Sequence, residues 1–589
     1  MQSREQTRQS LVEFLRVNQV NRRQFMTRAA ALGLAIPSVS ALLAACEVDD
    51  DDDDEVVDAV DTDVDPDDED VDDEEPDDDP EPEEDDEDDP DPVEAPDDER
   101  YGGELRVAIG GEPPSLDWHQ STALLTVLIM GHVYELLFTW DEDFAVTPDL
   151  VDTFETSDDG LLNTLHLRQG VMFHNGDELT AEDVYASIDR WANVLGVGFG
   201  EDLMDHTSEM RVVDDYTLEF EMTEAFGTFA VVLARQSHAC GIYPKSIVDE
   251  AGEDSLPEYI GTGPYRFVEW EPDQHILLER FDDYVARDED SNGYAGRKHA
   301  YLDALRFIPV PDEAARVAGL QAGEFDHVEA ITSERFEEIE DDENVVAELG
   351  PPIRKDLTLV NMAEGVLSDL NMRRAVQAAV NCEDALTAAH GSEFIRLDPG
   401  LMWQETIWHS SAGEDRYNIG DPDLAGEYLE EAGYDGEEIR LITTQEFMDL
   451  YNTAAVIAQN LEDAGMNVDV QVFDWATLLD RQADPEAWEL CTTWFGFRVD
   501  PVQLHYLNCD FAGQWCTDEK NELVERLRSE MDLDERVAIW EQIQELAYEE
   551  VPLIKTGESM NLLAYHPRVQ DLDLVQLVAA YWNVWVDDE

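Results

Sequence analysis

Apolar and polar residues alternate from Leu165 to Leu167 and again at Val171 and Phe173, the two-residue period of a half-buried strand or hairpin. Asn175-Gly176 follows as a turn signal, because both residues tolerate positive φ. Thr180, with Asp183 three positions on, is a capping-box variant that opens a helix, and Val184, Ile188 and Trp191 fall on one face of it. The stretch Leu165–Trp191 therefore predicts a hairpin running into an amphipathic helix. Elsewhere, Glu104–Ile109 reads as a strand, followed by a helical pattern through Leu128, Val133, Leu136 and Leu137.

The second half of the chain is punctuated more clearly. Asp421 can N-cap a helix with Pro422 at its first position and Gly433 just past its end. A strand at Ile439–Thr443, a helix at Leu450–Ala464 closed by Gly465, and a strand at Val468–Phe473 follow. This spacing predicts a parallel pair with a right-handed crossover. After Asp534 an amphipathic helix carries Val537, Trp540, Ile543 and Leu546, and Val551–Ile554 returns as a strand. No internal repeat interrupts this α/β order.

Charge changes the picture more than hydropathy does. The 589 residues allow several domains, and 36 basic against 140 acidic residues give a net charge of −104. Residues 47–99 hold 36 acids and no base, leaving 102 acids and 30 bases, about −72, in Arg100–Glu589. Such a surface repels phosphates and excludes nucleic acid as a partner. At low salt its self-repulsion opposes compaction, whereas near 1 M salt the Debye length falls to about 3 Å. Five lysines (245, 298, 355, 520 and 555) stand against 31 arginines. High acid with little lysine resembles the proteins of extreme halophiles, so a hypersaline source is expected. Among so many carboxylates, acid pairs at catalytic or metal-like spacing arise by chance and carry no weight.

The N-terminus reads as an export signal over residues 1–45. Asn21-Arg22-Arg23-Gln24-Phe25-Met26 resembles a twin-arginine motif, and Ala29–Ala45 is a mildly apolar run of 17 residues broken by Gly33 and Pro37. Leu43-Ala44-Ala45-Cys46 resembles a lipobox, which implies a mature chain starting at a lipidated Cys46 and tethered to a membrane. Residues 46–99 then form an acidic linker with no aromatic residue, too charged to fold.

Several motifs carry a resemblance. Gly170-Val-Met-Phe-His-Asn-Gly176 and Leu179-Thr-Ala-Glu-Asp-Val184 are similar to the signature of the extracytoplasmic solute-binding proteins of ABC importers, the dipeptide/oligopeptide-binding family known as family 5. Glu112-Pro-Pro-Ser-Leu-Asp117, Ile260-Gly-Thr-Gly-Pro-Tyr265, Leu320-Gln-Ala-Gly-Glu-Phe-Asp326 and Leu370–Val380 resemble further blocks of that family. Gly261 and Gly263 suggest a tight backbone crossing; a phosphate cradle is the alternative, but no Lys-Ser/Thr follows to make a P-loop. The resemblance implies a two-lobed α/β fold of the periplasmic-binding-protein type, in the large class with an extra subdomain and a ligand cleft between lobes. It places a first lobe with its inserted subdomain at 100–357, a second lobe at 358–550 and a return to the first at 551–589. It implies a monomeric binding protein, not an enzyme, with no cofactor or metal, whose partners are a peptide or small-molecule solute and ABC permease subunits. A secreted hydrolase, an oligosaccharide binder and a sensory receptor are the rival readings.

Chemistry-bearing motifs are scarce: neither a G-x-S-x-G elbow nor an H-E-x-x-H helix is present, and the 13 histidines form no convincing ligand pair. Five cysteines follow Cys46, namely 240, 382, 491, 509 and 516. Export permits a disulfide between Cys509 and Cys516, whose spacing is not zinc-like. Thr492–Pro501 resembles the family's cleft loop "W-x-A-D-x-x-D/E-P", in which the first acid holds a peptide's ammonium. Aligning Trp494 and Asp500-Pro501 on it puts Phe497 in the place of that acid, with Arg498 beside it. This departure puts plain dipeptide binding in doubt and suits a flat, apolar or carboxylate-bearing ligand. The plainer alternative makes Phe497 core and pairs Arg498 with a surface acid. Trp403, Trp408 and Trp118 are weaker pocket candidates, with core packing as the alternative for each.

Overall fold

The computed structural model describes residues 99–572 and 578–587. Arg22, Arg23, Cys46 and almost all of the acidic linker lie outside the described residues. Among the described residues no helix is long and apolar enough to cross a membrane.

One mixed sheet organises the chain. Its order runs from Asn467–Phe473 through Glu438–Thr444, Leu490–Gly496, Val346–Val360, Leu553–Tyr565, His327–Val328, Glu104–Ile109, Ala304–Pro309 and His275–Arg280 to Tyr265–Glu271. The two long strands in the middle, Val346–Val360 and Leu553–Tyr565, are antiparallel partners that join two lobes. At one end Tyr565 faces Val346 and His327; at the other Leu359 faces Leu553 and Cys491. Register shifts at Gly350/Pro352, Pro352/Arg354 and Asp356/Leu357 break the ladder midway. Proline has no N–H for such a ladder, so Pro351-Pro352 explains why the break falls there.

The first lobe adds a separate four-stranded antiparallel sheet, Val151–Thr156, Leu162–Leu167, Thr217–Met222 and Thr207–Asp214. The Leu165–Trp191 stretch organises its core. Phe173 and Asp177 close the turn at Asn175-Gly176, and Asp183 accepts the backbone N–H of Thr180 at 2.9 Å to cap the helix Ala181–Asp189. Val184, Ile188 and Trp191 are fully buried. In the second lobe, Glu438–Thr444, Met448–Asp463 and Asn467–Phe473 form the expected βαβ unit, with the strands parallel and in continuous register.

One expected helix is shorter than its apolar pattern. It spans only Leu124–Met130, and Val133, Leu136 and Leu137 lie in irregular backbone beyond it. Gly261-Thr262-Gly263 crosses there. A Cβ on Gly261 would sit 2.0 Å from the Val133 carbonyl oxygen, and one on Gly263 would sit 2.5 Å from that of His132. Gly263 and Tyr265 donate to the Val133 and His132 carbonyls, which satisfies buried backbone that a helix would otherwise satisfy. The tight crossing anticipated from the glycines is therefore what ends the helical run.

Cys509 and Cys516 form a disulfide, while Cys240, Cys382 and Cys491 are buried thiols. Four of the five lysines, 298, 355, 520 and 555, are buried, and Lys245 is half-buried.

Candidate functional site

The strand Leu490–Gly496 lies between Glu438–Thr444, to which it is parallel, and Val346–Val360. In open α/β sheets ligands bind beyond the carboxyl ends of such strands. Beyond this one the chain continues as Phe497-Arg498-Val499-Asp500 and meets the first lobe.

Phe497 is buried, and its N–H donates to the Ile353 carbonyl at 2.8 Å. Its ring centroid lies 4.6 Å from Phe144 and 6.3 Å from Trp140 of the first lobe, and 4.9 Å from Trp403 of the second. These residues belong to one apolar cluster that continues into the second lobe's core. The lobes thus touch through an aromatic box that includes Phe497.

Trp403 forms the floor of the box. It is fully buried, and the Lys355 ammonium sits 4.0 Å from its ring centroid. Lys355 donates to the Gly400 carbonyl and lies 3.5 Å from Glu558. Burial, and then the neighbouring Lys555, hold its pKa well below the usual lysine range. Lys555 is itself paired to Asp398 and Glu558, each at 3.1 Å.

Trp494 is half-buried with the Arg354 guanidinium 5.2 Å from its ring. Arg354 also pairs with Asp356 and Asp449, and His390 contacts Asp356 at 3.0 Å. Ligand atoms of Asp356, His390 and Asp449 lie within 4.8 Å of one another. Arg354 already supplies the positive charge between these carboxylates, so a metal ion there would have to displace it.

Two predicted site residues have other occupations. Asp500 is buried against Arg536 at 2.9 Å and accepts the Val502 N–H, which caps the turn Pro501–Gln503. Its carboxylate is thereby neutralised by a structural partner. Trp118 is enclosed in the first lobe's core against Tyr134, with its indole N–H donated to the Gln236 carbonyl at 2.7 Å. Both side chains are thus engaged by the protein's own framework. Trp408 is likewise buried, beneath the Arg536 guanidinium.

Arg498 behaves differently. It is half-buried, and among the described residues it forms no ion pair; its Nη1 donates to the Phe497 carbonyl at 2.7 Å and to that of Gly496 at 3.3 Å. Pairing with a surface acid, the plainer alternative for this side chain, is not what the structure contains. Burial lowers its pKa to about 10. From the first lobe comes Arg235, half-buried, with its guanidinium 3.8 Å above the Phe199 ring and its Nε donating to the Ser237 carbonyl at 2.7 Å. Burial, and then the adjacent Arg498, lower the Arg235 pKa to about 9. His505 completes the group; burial, then Arg498 and Arg235, push it down to about 4. It stacks on Phe511 at 5.8 Å and lies 6.0 Å from Phe495. At neutral pH both guanidiniums are charged and the imidazole is neutral.

Arg235, His505, Trp140 and Phe144 were missed from the sequence. One signal marked Arg235: it stands in the run 225–248, which contains no acid in a chain otherwise dense with them. Trp140 and Phe144 carried no comparable mark, since aromatics at a seam look like any other core residue.

A family model, described as bacterial extracellular solute-binding proteins, family 5 middle, matches residues 145–510. A probable peptide ABC transporter periplasmic-binding protein of Sinorhizobium fredii is 27% identical over 477 residues, covering 77% of this chain and 88% of the relative. The dipeptide-binding protein of Escherichia coli is 26% identical over 452 residues, covering 70% and 81%. In fold, the chain matches an ABC transporter substrate-binding protein of Listeria monocytogenes with a TM-score of 0.72 and 21% identity, covering 82% of this chain and 99% of that one.

Proposed function

The chain belongs to family 5 of the bacterial extracellular solute-binding proteins, and on that premise we propose that it captures a peptide or a related organic solute between its lobes and delivers it to an ABC permease. The solute-binding role and the absence of catalysis follow from the family. The finer assignment is carried by the seam, where two lobes joined through a pair of long strands face each other across aromatic and cationic side chains. A ligand touching both lobes favours the state in which they are apposed, and that state is what a permease can recognise. Peptide transport is supported by the relatives named above. Phe497 in the acid's place favours a second reading, a ring-bearing solute such as an oligosaccharide.

The same proposal extends to address and assembly. Arg22-Arg23 directs export, Cys46 carries the lipid that holds the monomeric protein at the outer face of the cytoplasmic membrane, and residues 46–99 act as a charged spacer in a hypersaline medium. The proposal divides the chain into lobes at 100–357 and 358–550 with a return at 551–589, and the pairing of Leu553–Tyr565 with His327–Val328 supports the return. Incorporation of labelled fatty acid in cells, lost in Cys46→Ser, tests the anchor.

Thermal unfolding of the full chain in molar salt tests solute capture against free peptides, N-acetylated peptides and oligosaccharides. A ligand at 100 times its Kd stabilises by about 2.7 kcal/mol. Stabilisation by peptides supports peptide uptake, stabilisation by oligosaccharides alone moves the function to sugars, and a flat response to the whole panel rejects solute capture.

A further inference from the structure

All five lysines of the chain lie among the described residues, and four of them meet a carboxylate. Lys245 meets Asp249, Lys298 meets Glu135 and Asp149, Lys355 meets Glu558, and Lys555 meets Asp398 and Glu558. Lys520 forms no ion pair among the described residues. It is 1% exposed, and its ammonium donates to the Leu507 carbonyl at 2.7 Å. The same ammonium lies 3.7 Å from Cys509 Sγ, one half of the Cys509–Cys516 disulfide. In a folded region with 102 acids for 30 bases, a buried cation is thus set against a sulfur–sulfur bond instead of a carboxylate.

The two sulfurs stand in unlike surroundings. Cys516 is exposed, and Asp518 and Glu519 follow it in the first turn of the helix Asp518–Ser529. Cys509 is half-buried and backed by Lys520. A second cation stands on its side, since Arg528 donates to Oδ1 of the adjoining Asn508 at 3.1 Å. Of the neighbouring acids, Asp510 is exposed, and Glu550 accepts the Trp515 indole N–H and the Thr517 hydroxyl. Burial, and then Arg528, lower the Lys520 pKa to about 8, so at neutral pH the ammonium remains mostly charged. Because it is buried, molar salt screens it far less than it screens the surface acids.

In thiol–disulfide exchange the attacked sulfur must be reachable, and the sulfur that forms the more stable thiolate leaves faster. Exposure selects Cys516 for attack, and the buried ammonium selects Cys509 as the leaving group. We propose that the Cys509–Cys516 bridge is a directional exchange site for low-molecular-weight thiols, which take Cys516 into a mixed disulfide and release Cys509 as a thiolate held by Lys520. The incoming thiolate forms a bond to Cys516 Sγ, the bond between the two cysteines breaks, and its electron pair goes to Cys509 Sγ. The sulfur of the incoming thiol is oxidised as that of Cys509 is reduced, and no proton moves at the site. In reverse, the Cys509 thiolate attacks Cys516 and expels the thiol, which restores the bridge. The loop so opened carries Phe511, whose ring lies 5.9 Å from Phe495 on the strand Leu490–Gly496. This chemistry does not depend on which solute the seam takes.

The test exposes the full chain in molar salt to 2-mercaptoethanol for short times, traps free thiolates with iodoacetamide, and maps both labels by tandem mass spectrometry. The proposed direction requires the mercaptoethanol adduct on Cys516 and the alkyl group on Cys509. Adducts on Cys509, or on both cysteines equally, would overturn it. Lys520→Gln should slow the exchange about 3- to 10-fold, as expected for a leaving thiol whose pKa rises by about one to two units. A Lys520→Gln chain that unfolds more easily yet exchanges at the parent rate would make Lys520 a prop for the Leu507 carbonyl alone and overturn the proposal. The variant Cys516→Ser keeps Lys520 in place and reads the leaving group by itself, whether or not Lys520→Gln folds. There the pH dependence of Cys509 alkylation should give a pKa below about 8.5, the value of a free cysteine. A value at or above it would show that Lys520 does not hold the thiolate, and the directional site would fall.

Discussion

The ring of Phe144 in the first lobe lies 4.6 Å from the ring of Phe497 in the second. Phe144 reaches this position with φ at +60°, a left-handed conformation that is uncommon for a bulky side chain, in a turn held by the Asp141 carboxylate. Backbone strain at a functional seam persists only where surrounding contacts over-determine it. Here those contacts are Trp140 and Phe497, so one residue of the cleft loop secures a strained turn in the opposite lobe.

Phe497→Ala should therefore cost about 3–5 kcal/mol, the range for truncating a buried aromatic ring. Equilibrium unfolding in molar salt measures it. A loss below about 1 kcal/mol would show that the rings separate in solution and that the lobes meet only transiently.

The buried cation–carboxylate network behind Trp403 gives a second expectation. Glu558 is fully buried between Lys555, Lys355 and Arg396, and those charges hold its pKa below the usual value despite its burial. Removing one partner of a buried pair leaves charge uncompensated, at a cost of about 3–5 kcal/mol. Glu558→Gln should show a loss of that order by the same unfolding measurement, and Asp398, which also contacts Lys555, keeps it from being larger.

Histidines set the acid limit. His132, His174 and His327 are each pushed down to about 4, mainly by burial. Between pH 4 and 6.5 the unfolded chain binds protons at these positions that the folded chain does not, so stability rises with pH across that window. It is fully present above about pH 6.5 and is lost as pH falls towards 4. Each group contributes a slope of at most about 1.4 kcal/mol per pH unit. Thermal unfolding at several pH values should show this decline in molar salt, where screening suppresses the opposite effect of neutralising surface acids. His327→Gln should flatten the slope; an unchanged slope would mean that His327 is already open to protonation in the folded state.

Salt dependence follows from composition alone. With about −72 on Arg100–Glu589, dilution to about 0.1 M salt lengthens the Debye length to roughly 10 Å and restores repulsion across the surface. The unfolding temperature should fall steeply with dilution and recover on restoring salt. A chain indifferent to salt would contradict the hypersaline assignment.

The elements most legible in the sequence were those whose signals were local. Thr180 and Asp183 close their capping box, Asp421, Pro422 and Gly433 bound the helix Pro422–Ala432, and the βαβ unit pairs in the expected direction. The helix beyond Leu124 was over-read because buried irregular backbone is as apolar as a helix, and only Gly261 and Gly263, far along the chain, end it. In the cleft loop Phe497 and Arg498 could be singled out, because a motif departure is visible in one chain. The partner of Phe497, Phe144, could not, because contact across a seam leaves no local pattern. The partners of Asp500 and Trp118 were hidden for the same reason: Arg536 and Gln236, which engage them, are distant in sequence.

The disulfide gives the last expectation. Cys509–Cys516 closes a short loop that carries Phe511, the ring against which His505 stacks beside the two arginines. Closing a loop of this length stabilises by about 2 kcal/mol through the entropy of the unfolded chain. Reduction should lower stability by about that amount. It should also loosen Phe511 and His505, so that any solute the seam holds binds more weakly. The paired variant Cys509→Ser with Cys516→Ser should reproduce both effects without reductant, which separates loss of the bridge from side reactions at Cys240, Cys382 and Cys491. Those three thiols are buried, and burial raises their pKa, so they should resist alkylation in the folded chain. If the stability loss appears while solute affinity is unchanged, the loop serves the fold alone and the Phe511–His505 face lies outside the binding seam.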